Sequence, residues 1–286
     1  MDEKKELQTG YLHQDFRLFH IKDKKNQEFE FHYHNFHKII IFLSGNVSYI
    51  VEGKVYYLKP WDILLVNNHD IHKPIIDPNN TYERIIIWLQ DNFIKNTINS
   101  DCDLAACFQT ATKKQFNLIR LQANLQTQIQ TIIHSLEESL ASDEFGSKVL
   151  SDTYFLQLMV YLNRVFLPNQ LLKDTTVSKY DRQIAEILKY INLNLKEDLS
   201  NHAIAEKFYL SKYYLMHKFK EETGYTLHNY VQQKRLIHAA ELIKQGIPVT
   251  KACSLCGFLD YSTFLRAFKK MFQISPRELV HNVDSR

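Results

Sequence analysis

The feature that most limits what this chain can fold into is a plan written twice in its last third: a short helix, a tight turn and a second helix, repeated at about fifty residues. In the first copy Leu199-Ser200-Asn201 opens a helix carrying Ile204 and Ala205. A turn is predicted around Phe208 to Leu210, and Ser211 is placed to cap the next helix, from about Lys212 to Glu222, which ends at Gly224. In the second copy Val249, Ala252 and Leu255 form the first helix and Gly257-Phe258 the turn; Asp260 caps a helix ending near Met271. Between the copies, Leu227 to Lys244 reads as one long amphipathic helix with Tyr230, Val231, Leu236, Ala239, Ala240 and Ile243.

The second helices of the two copies share a buried face, Leu215 with Phe219 and Phe264 with Phe268, each pair followed by a lysine, Lys220 or Lys269. Their other faces carry Lys212, Tyr213, Met216, His217 and Lys220, and Tyr261, Ser262, Leu265, Arg266, Lys269 and Lys270. A helix fits the major groove of DNA, where Arg forks onto guanine, Tyr and Ser bond to bases or phosphates, and Met or Leu meets the thymine methyl. Lysines near the helix ends would grip phosphates and set register. Two such helices on one monomer must lie about 34 Å apart to enter successive major-groove segments. A connecting helix of about eighteen residues, about 27 Å long, can hold that separation. From Tyr180 to Arg286 there are 16 Lys and Arg against 11 Asp and Glu, and 19 against 21 in residues 1 to 179. The positive charge therefore sits where a polyanionic partner would bind, without proving one.

The first part of the chain follows another period. From Phe16 to Leu89, short β-branched and aromatic runs are predicted as strands: Ile39 to Leu43, Val47 to Val51, Val55 to Leu58, Ile63 to Val66 and Ile85 to Leu89. Ser44-Gly45-Asn46, Glu52-Gly53-Lys54, Pro60-Trp61-Asp62, Asn67-Asn68 and Asp77-Pro78-Asn79-Asn80 separate them, which implies a sandwich or barrel. Beyond Leu89, Leu118, Leu121, Leu125, Ile129, Ile132, Leu136 and Leu140 recur at helical spacing. Val149, Phe155, Leu158, Met159, Leu162 and Phe166 form a second stripe, and the two helices are joined near Ser142 to Gly146. Such stripes pack on their own domain or form a dimer seam. Pro168 to Ser178 reads as a polar linker, so the expected domains are residues 1–167, a linker at 168–179, and 180–286.

With 286 residues, 45% hydrophobic and 23% charged, the chain has enough apolar content for two cores. Four cysteines, Cys102, Cys107, Cys253 and Cys256, are too few and too unevenly placed for a disulfide scaffold. The residues after Met1 form no apolar signal region, and no apolar run approaches the ~18 residues that span a bilayer. A cytoplasmic protein with no membrane partner is expected.

The run Val249 to Phe258, then Tyr261 to Lys270, then Ile274-Ser275-Pro276-Arg277-Glu278 resembles the second half of the AraC/XylS family DNA-binding domain. Leu199 to Phe208, Leu215 to Phe219, Glu222-Thr223-Gly224, Arg235-Leu236, Ala239-Ala240 and Leu242 resemble its first half, so the likeness runs from about Asp181 to Leu279. It implies a bipartite helix-turn-helix reader of double-stranded DNA. The contacts then fall on Lys212, Tyr213, Met216, His217, Lys220 and Arg235, and on Tyr261, Ser262, Leu265, Arg266, Lys269 and Lys270. The chain departs from the family at Gln273, where Gly is usual, and in lacking an Arg at the centre of the first reading helix. The Cys253-x-x-Cys256 pair sits where the family keeps small or apolar residues, which favours packing over a redox or metal role; no second CxxC completes a zinc site.

His32-Tyr33-His34, Lys38 and Gly45 resemble the first motif of the cupin barrel, and Gly53, Pro60-Trp61-Asp62 and His72 resemble the second. Metal-dependent cupins use three His and one Glu; here Lys38 stands at the Glu position, and an ammonium beside a dication is repulsive. The resemblance implies an α+β chain: a cupin-like barrel with a helical dimerisation or linker segment, then an all-α domain of two helix-turn-helix units joined by a long helix. Its expected function is that of a transcription regulator, not an enzyme, with no cofactor or metal, and with His32, His34 and His72 binding a small-molecule effector such as a sugar. A homodimer and an RNA polymerase contact belong to the same expectation. The alternatives are a metal-dependent cupin enzyme with an attached DNA-binding domain, and a DNA-binding protein without effector.

Overall fold

A computed structural model describes residues 15–24, 29, 31–34, 36–68, 70–90, 93, 102–114, 116–167, 178–179, 182–272 and 274–284. Contacts divide the chain into two compact units, residues 1–51 with 55–179, and residues 180–286 with 52–54. The expected linker lies outside the described residues except for 178–179, and so does Gln273.

The first unit is two antiparallel sheets. Its strands are β1 (Phe16–Asp23), β2 (His37–Ser44), β3 (Val47–Val51), β4 (Lys54–Tyr57), β5 (Ile63–Val66), β6 (His72–Ile76), β7 (Tyr82–Leu89), β8 (Leu118–Ile119) and β9 (Ser178–Lys179). One sheet runs β1-β7-β2-β5-β8 and the other β6-β3-β4-β9. The predicted runs fall on strands, save Leu58 just after β4, although β2 is buried from His37 to Phe42 and β5 throughout, with no alternation. Both faces of the first sheet are covered, so both sets of side chains are buried.

On one face Ile39, Ile41, Ile63, Leu65, Ile85 and Ile87 pack against three helices, α1 (Ala106–Lys114), α2 (Ala123–Ala141) and α3 (Ser147–Phe166). On the other, Ile40, Phe42, Leu64 and Val66 meet Val47, Tyr49 and Val51 of the second sheet inside the barrel. Each fully buried Ile, Leu or Phe contributes roughly 1.5–3 kcal/mol of transfer free energy, so the register of β2 is strongly specified. The β2–β7 register places Lys38 opposite Trp88 and Phe42 opposite Arg84, which puts these residues on the barrel side.

The helical stripe is corrected at its edges. Leu118 is not helical: with Ile119 it extends the first sheet by pairing with Ile63 and Leu64. Leu121 precedes α2, and Leu140 and Val149 are exposed. The spacing of Leu118 and Leu121 matched a helix, but hydrogen bonding to the open edge of β5 outweighed it. The join near Ser142 to Gly146 is present, with Gly146 in the left-handed region before α3.

The second unit is helical: α4 (Arg182–Leu193), α5 (Asn201–Lys207), α6 (Lys212–Thr223), α7 (Leu227–Lys244), α8 (Val249–Leu255), α9 (Tyr261–Phe272) and α10 (Pro276–Asp284). Helix α7 is the shared strut. Near its N-terminus Tyr230 meets Phe219 of α6 edge-on, with ring centroids 5.6 Å apart. Its later residues Leu236, Ala239, Ala240 and Ile243 form a core with Ala252, Cys253, Cys256, Phe264 and Phe268. The alanines let α8 and α9 approach closely, which explains the small-residue pair inside an otherwise bulky helix.

Candidate nucleic-acid interface and effector site

Each candidate reading helix is fixed at its start by a side-chain cap. The Ser211 hydroxyl accepts from the Tyr214 N–H at 3.1 Å at the start of α6, and an Asp260 carboxylate oxygen accepts from the Thr263 N–H at 2.6 Å at the start of α9. Hydrogen bonds from Thr263 hold the Asp260 carboxyl below its ordinary value. Leu215, Phe219, Phe264 and Phe268 are fully buried, so each helix shows solvent one defined face.

On α6 that face carries Lys212, Tyr213, Met216, His217 and Lys220, all exposed, with the Tyr213 and His217 rings stacked at 6.3 Å. On α9 it carries Tyr261, Ser262, Arg266, Lys269 and Lys270, while Leu265 is half-buried against the core. Leu265, Arg266, Lys269 and Lys270 line an open surface groove of about 540 Å³. The structure thus brings together the named residues of each reading helix.

Arg235 stands apart. Its Nε donates to the Leu195 carbonyl at 2.8 Å and its Nη2 to the Glu197 carbonyl at 2.7 Å, so two of its five N–H donors are used inside the domain. These two donors tie α7 to the chain after α4, and the expected contact of Arg235 with DNA would fall to the remaining ones. Gly257, at φ +77°, lies against the same strut; a Cβ there would meet the Leu195 carbonyl oxygen at 2.6 Å and Arg235 Nη2 at 2.9 Å. In the first copy the corresponding turn residue is Tyr209, also at positive φ, 55°, and 96% exposed. Tyr209, within the predicted turn, and Leu259 are both exposed just before a candidate reading helix, a placement that periodicity alone does not give for turn residues. Cys253 and Cys256 are buried free thiols, raised by that burial, Cys256 to about 12, which suits packing and not redox chemistry.

In the first unit, His32, His34 and His72 converge, their ligating nitrogens all within 4.8 Å of one another. A pair of backbone hydrogen bonds between His32 and His72 holds two of them side by side. Lys38 reaches across from β2: its Nζ lies 3.0 Å from His34 Nε2 and 3.1 Å from His72 Nε2. His72 Nδ1 lies 2.8 Å from the Asp70 carbonyl oxygen, which can only accept, so the proton sits on Nδ1 and the Nε2 lone pair faces the lysine. Burial, then the Lys38 charge, pushes His34 and His72 far below the ordinary histidine value, so both are neutral acceptors. Burial also lowers the Lys38 ammonium to about 7.

This donor set does not fit a resident metal ion. Lys38 takes the inward lone pairs of His34 and His72 that a metal would need and sets a competing cation where metal-dependent cupins have a carboxylate. Further along the same inner face Arg84 pairs with Asp23 and lies over the Tyr82 ring, 4.2 Å from its centroid. Burial raises the Tyr82 phenol to about 12. Beside the cluster, Trp88 packs at a tilt against Phe36, ring centroids 4.7 Å apart, and its buried indole N–H has no hydrogen-bond partner among the described residues.

Two family models match the chain, an AraC-like ligand binding domain over residues 18–159 and a helix-turn-helix domain over residues 204–282. Among curated proteins, the HTH-type transcriptional activator RhaS of Salmonella schwarzengrund (strain CVM19633) is 25% identical over 259 residues, 89% of this chain and 88% of that protein. RhaS of Citrobacter koseri is 25% identical over 261 residues, with the same coverage. Among solved structures, the C-terminal domain of AraT, a response regulator from Geobacillus stearothermophilus, is 25% identical and covers 36% of this chain and 86% of that one. Its TM-score is 0.35, too low to establish a shared fold. Among the described residues, no helix is long and apolar enough to cross a membrane.

Proposed function

The chain belongs to the AraC family of DNA-binding transcription regulators with a ligand-binding N-terminal domain, and from that premise we propose how its own residues divide the work. Helix α6 reads one major-groove segment through Tyr213, Met216 and His217, with Lys212 and Lys220 on phosphates. Helix α9 reads the next through Tyr261, Ser262, Leu265 and Arg266, with Lys269 and Lys270 on phosphates. The observation that carries this is the paired geometry: two side-chain-capped helices, each with a fully buried i, i+4 pair and an exposed cationic and aromatic face.

Residues 1–167 form the effector and dimerisation domain, 168–179 the linker and 180–286 the DNA-binding domain. The barrel binds a small polar metabolite of the sugar type at the cluster of His32, His34 and His72, where Lys38 holds the inward nitrogens of the last two, with the neighbouring aromatic rings for stacking. Occupancy biases the arrangement of domains within a cytoplasmic homodimer, and so selects which half-sites are held together and how RNA polymerase is engaged. The chain regulates and does not catalyse; the competition of Lys38 for the imidazole lone pairs argues against a metal-dependent cupin enzyme.

A genome-wide map of binding sites, followed by titration of a recovered operator against metabolites of the neighbouring genes, tests the reading. Recovered fragments sharing a two-part motif, and an operator affinity moved by one such metabolite, are expected. Fragments without a common motif would remove the α6 and α9 assignment, and indifference to every metabolite would remove the effector.

A further inference from the structure

Within the barrel the donors and acceptors do not balance. Lys38 is buried and its two hydrogen bonds are both to neutral imidazole nitrogens, so among the described residues one N–H is unused and no carboxylate faces the ammonium. Opposite it in the β2–β7 register, the indole N–H of Trp88 is buried and unpartnered. Among the described residues, the other groups around the lysine supply no anion. Val66 faces it from β5, His72 from β6 and His34 from the segment before β2. The charged groups on this face farther along are Arg84 and Asp23, which satisfy one another. Buried cations in proteins are normally paired, and an unpaired buried donor costs about 1–3 kcal/mol.

We propose that the effector of this barrel carries a carboxylate, which sits between Lys38 and Trp88 as the missing counter-ion and acceptor. The inference rests on the reading of the barrel as an effector site and narrows the class of ligand. An acceptor-only group is what the site lacks. A neutral hydroxyl brings its own proton, which needs an acceptor, and the inward lone pairs of His34 and His72 are already taken by Lys38. A phosphate dianion brings more charge and more oxygens than one ammonium and one indole N–H can satisfy, whereas a monoanionic carboxylate matches one cation and two donors. Burial has already lowered the Lys38 ammonium to about 7, so the bound anion restores its proton and binding couples to proton uptake.

The test uses the full chain in carboxylate-free buffer, with acetate and gluconate as probes and acetamide and glucose as their neutral counterparts. Binding is followed by thermal unfolding and by titration calorimetry in two buffers of different ionisation enthalpy. The carboxylates should raise the unfolding temperature of the barrel with dose, and at pH 8.5 should bind with uptake of about one proton. Lys38→Met and Lys38→Gln, the second keeping a donor to the imidazoles without the charge, should each weaken carboxylate binding at least about tenfold. Equal effects of the neutral counterparts, carboxylate binding undiminished in both variants, or no response to either carboxylate would each overturn the proposal. Glucose acting where gluconate does not would sink the anion while leaving the effector reading intact. Silence of every metabolite on both barrel stability and operator affinity would remove both.

Discussion

Replacing Lys38 with methionine should make the barrel more stable at neutral pH, and the gain should fade as the pH rises. The ammonium is lowered by burial from the ordinary 10.5 to about 7. Its folded value therefore lies below its unfolded one. Between these two values the unfolded chain holds the proton and the native chain does not, so stability rises with pH across that window. Below pH 7 both states are protonated and the full penalty of burying the charge is present. At about 1.4 kcal/mol per pKa unit that penalty is on the order of 5 kcal/mol. Lys38→Met removes it but leaves the Nε2 atoms of His34 and His72 without a donor, at roughly 1–2 kcal/mol each. The net gain at pH 7 is then about 1–3 kcal/mol.

The pH-dependent part is the cleaner quantity, because groups that Lys38 does not touch cancel between wild type and variant. From pH 7 to 9 the wild type should recover about 2 kcal/mol relative to Lys38→Met. Both tryptophans, Trp61 and Trp88, lie in the barrel unit, so urea unfolding followed by tryptophan fluorescence reports that unit and not the helical one. Measured in carboxylate-free buffer at pH 7, 8 and 9, a difference that stays flat to within about 0.5 kcal/mol would refute the reasoning. It would mean that the lysine keeps its charge throughout, and so has an anionic partner or access to water.

On DNA, Arg266→Ala should weaken binding to the operator more than to random sequence, by about 1–3 kcal/mol, whereas Lys269→Ala should weaken both alike and flatten the salt dependence by about one unit of slope. Gel-shift titrations on both DNAs at several salt concentrations separate the two; equal losses for Arg266→Ala would remove its base-reading role. Gly257→Ala combines a positive φ with a 2.6 Å approach to a backbone carbonyl, so it should destabilise the helical unit by more than about 2 kcal/mol and abolish operator binding. Its tryptophan-detected barrel unfolding should be unchanged. Arg120→Ala leaves the carboxylate of Asp62, 2% exposed, without its two guanidinium hydrogen bonds, and should cost the barrel about 3 kcal/mol in the same urea assay. A loss below about 1 kcal/mol would show that solvent reaches Asp62.

How far the sequence could be read follows from which constraints act locally. Ser211, Asp260 and Gly224 could be placed because caps and left-handed termini are matters of residue type at one position, and each is where the spacing predicts it. The reading faces followed from period alone, since Leu215 and Phe219, or Phe264 and Phe268, can be buried only by turning their neighbours outward. Arg235 resisted the same logic. Its position on α7 suits a phosphate contact, and the carbonyls of Leu195 and Glu197 that take two of its donors lie some forty residues earlier, where no local rule announces them. Leu118 failed for a related reason: an apolar residue at helical spacing was claimed by a strand edge more than fifty residues before it. Lys38 shows both limits in one residue. Its place in a cupin-like motif marked it as the position where a metal ligand was lost, and sequence could go no further than repulsion. Only the fold shows that its ammonium holds the inward lone pairs of His34 and His72 and lies across from an unpartnered Trp88 N–H. A lysine where a cupin-like motif has a metal ligand thus also builds a buried cationic site, and on the proposal made above what looks in sequence like a loss of chemistry is in three dimensions a change in the charge of the ligand the barrel would accept.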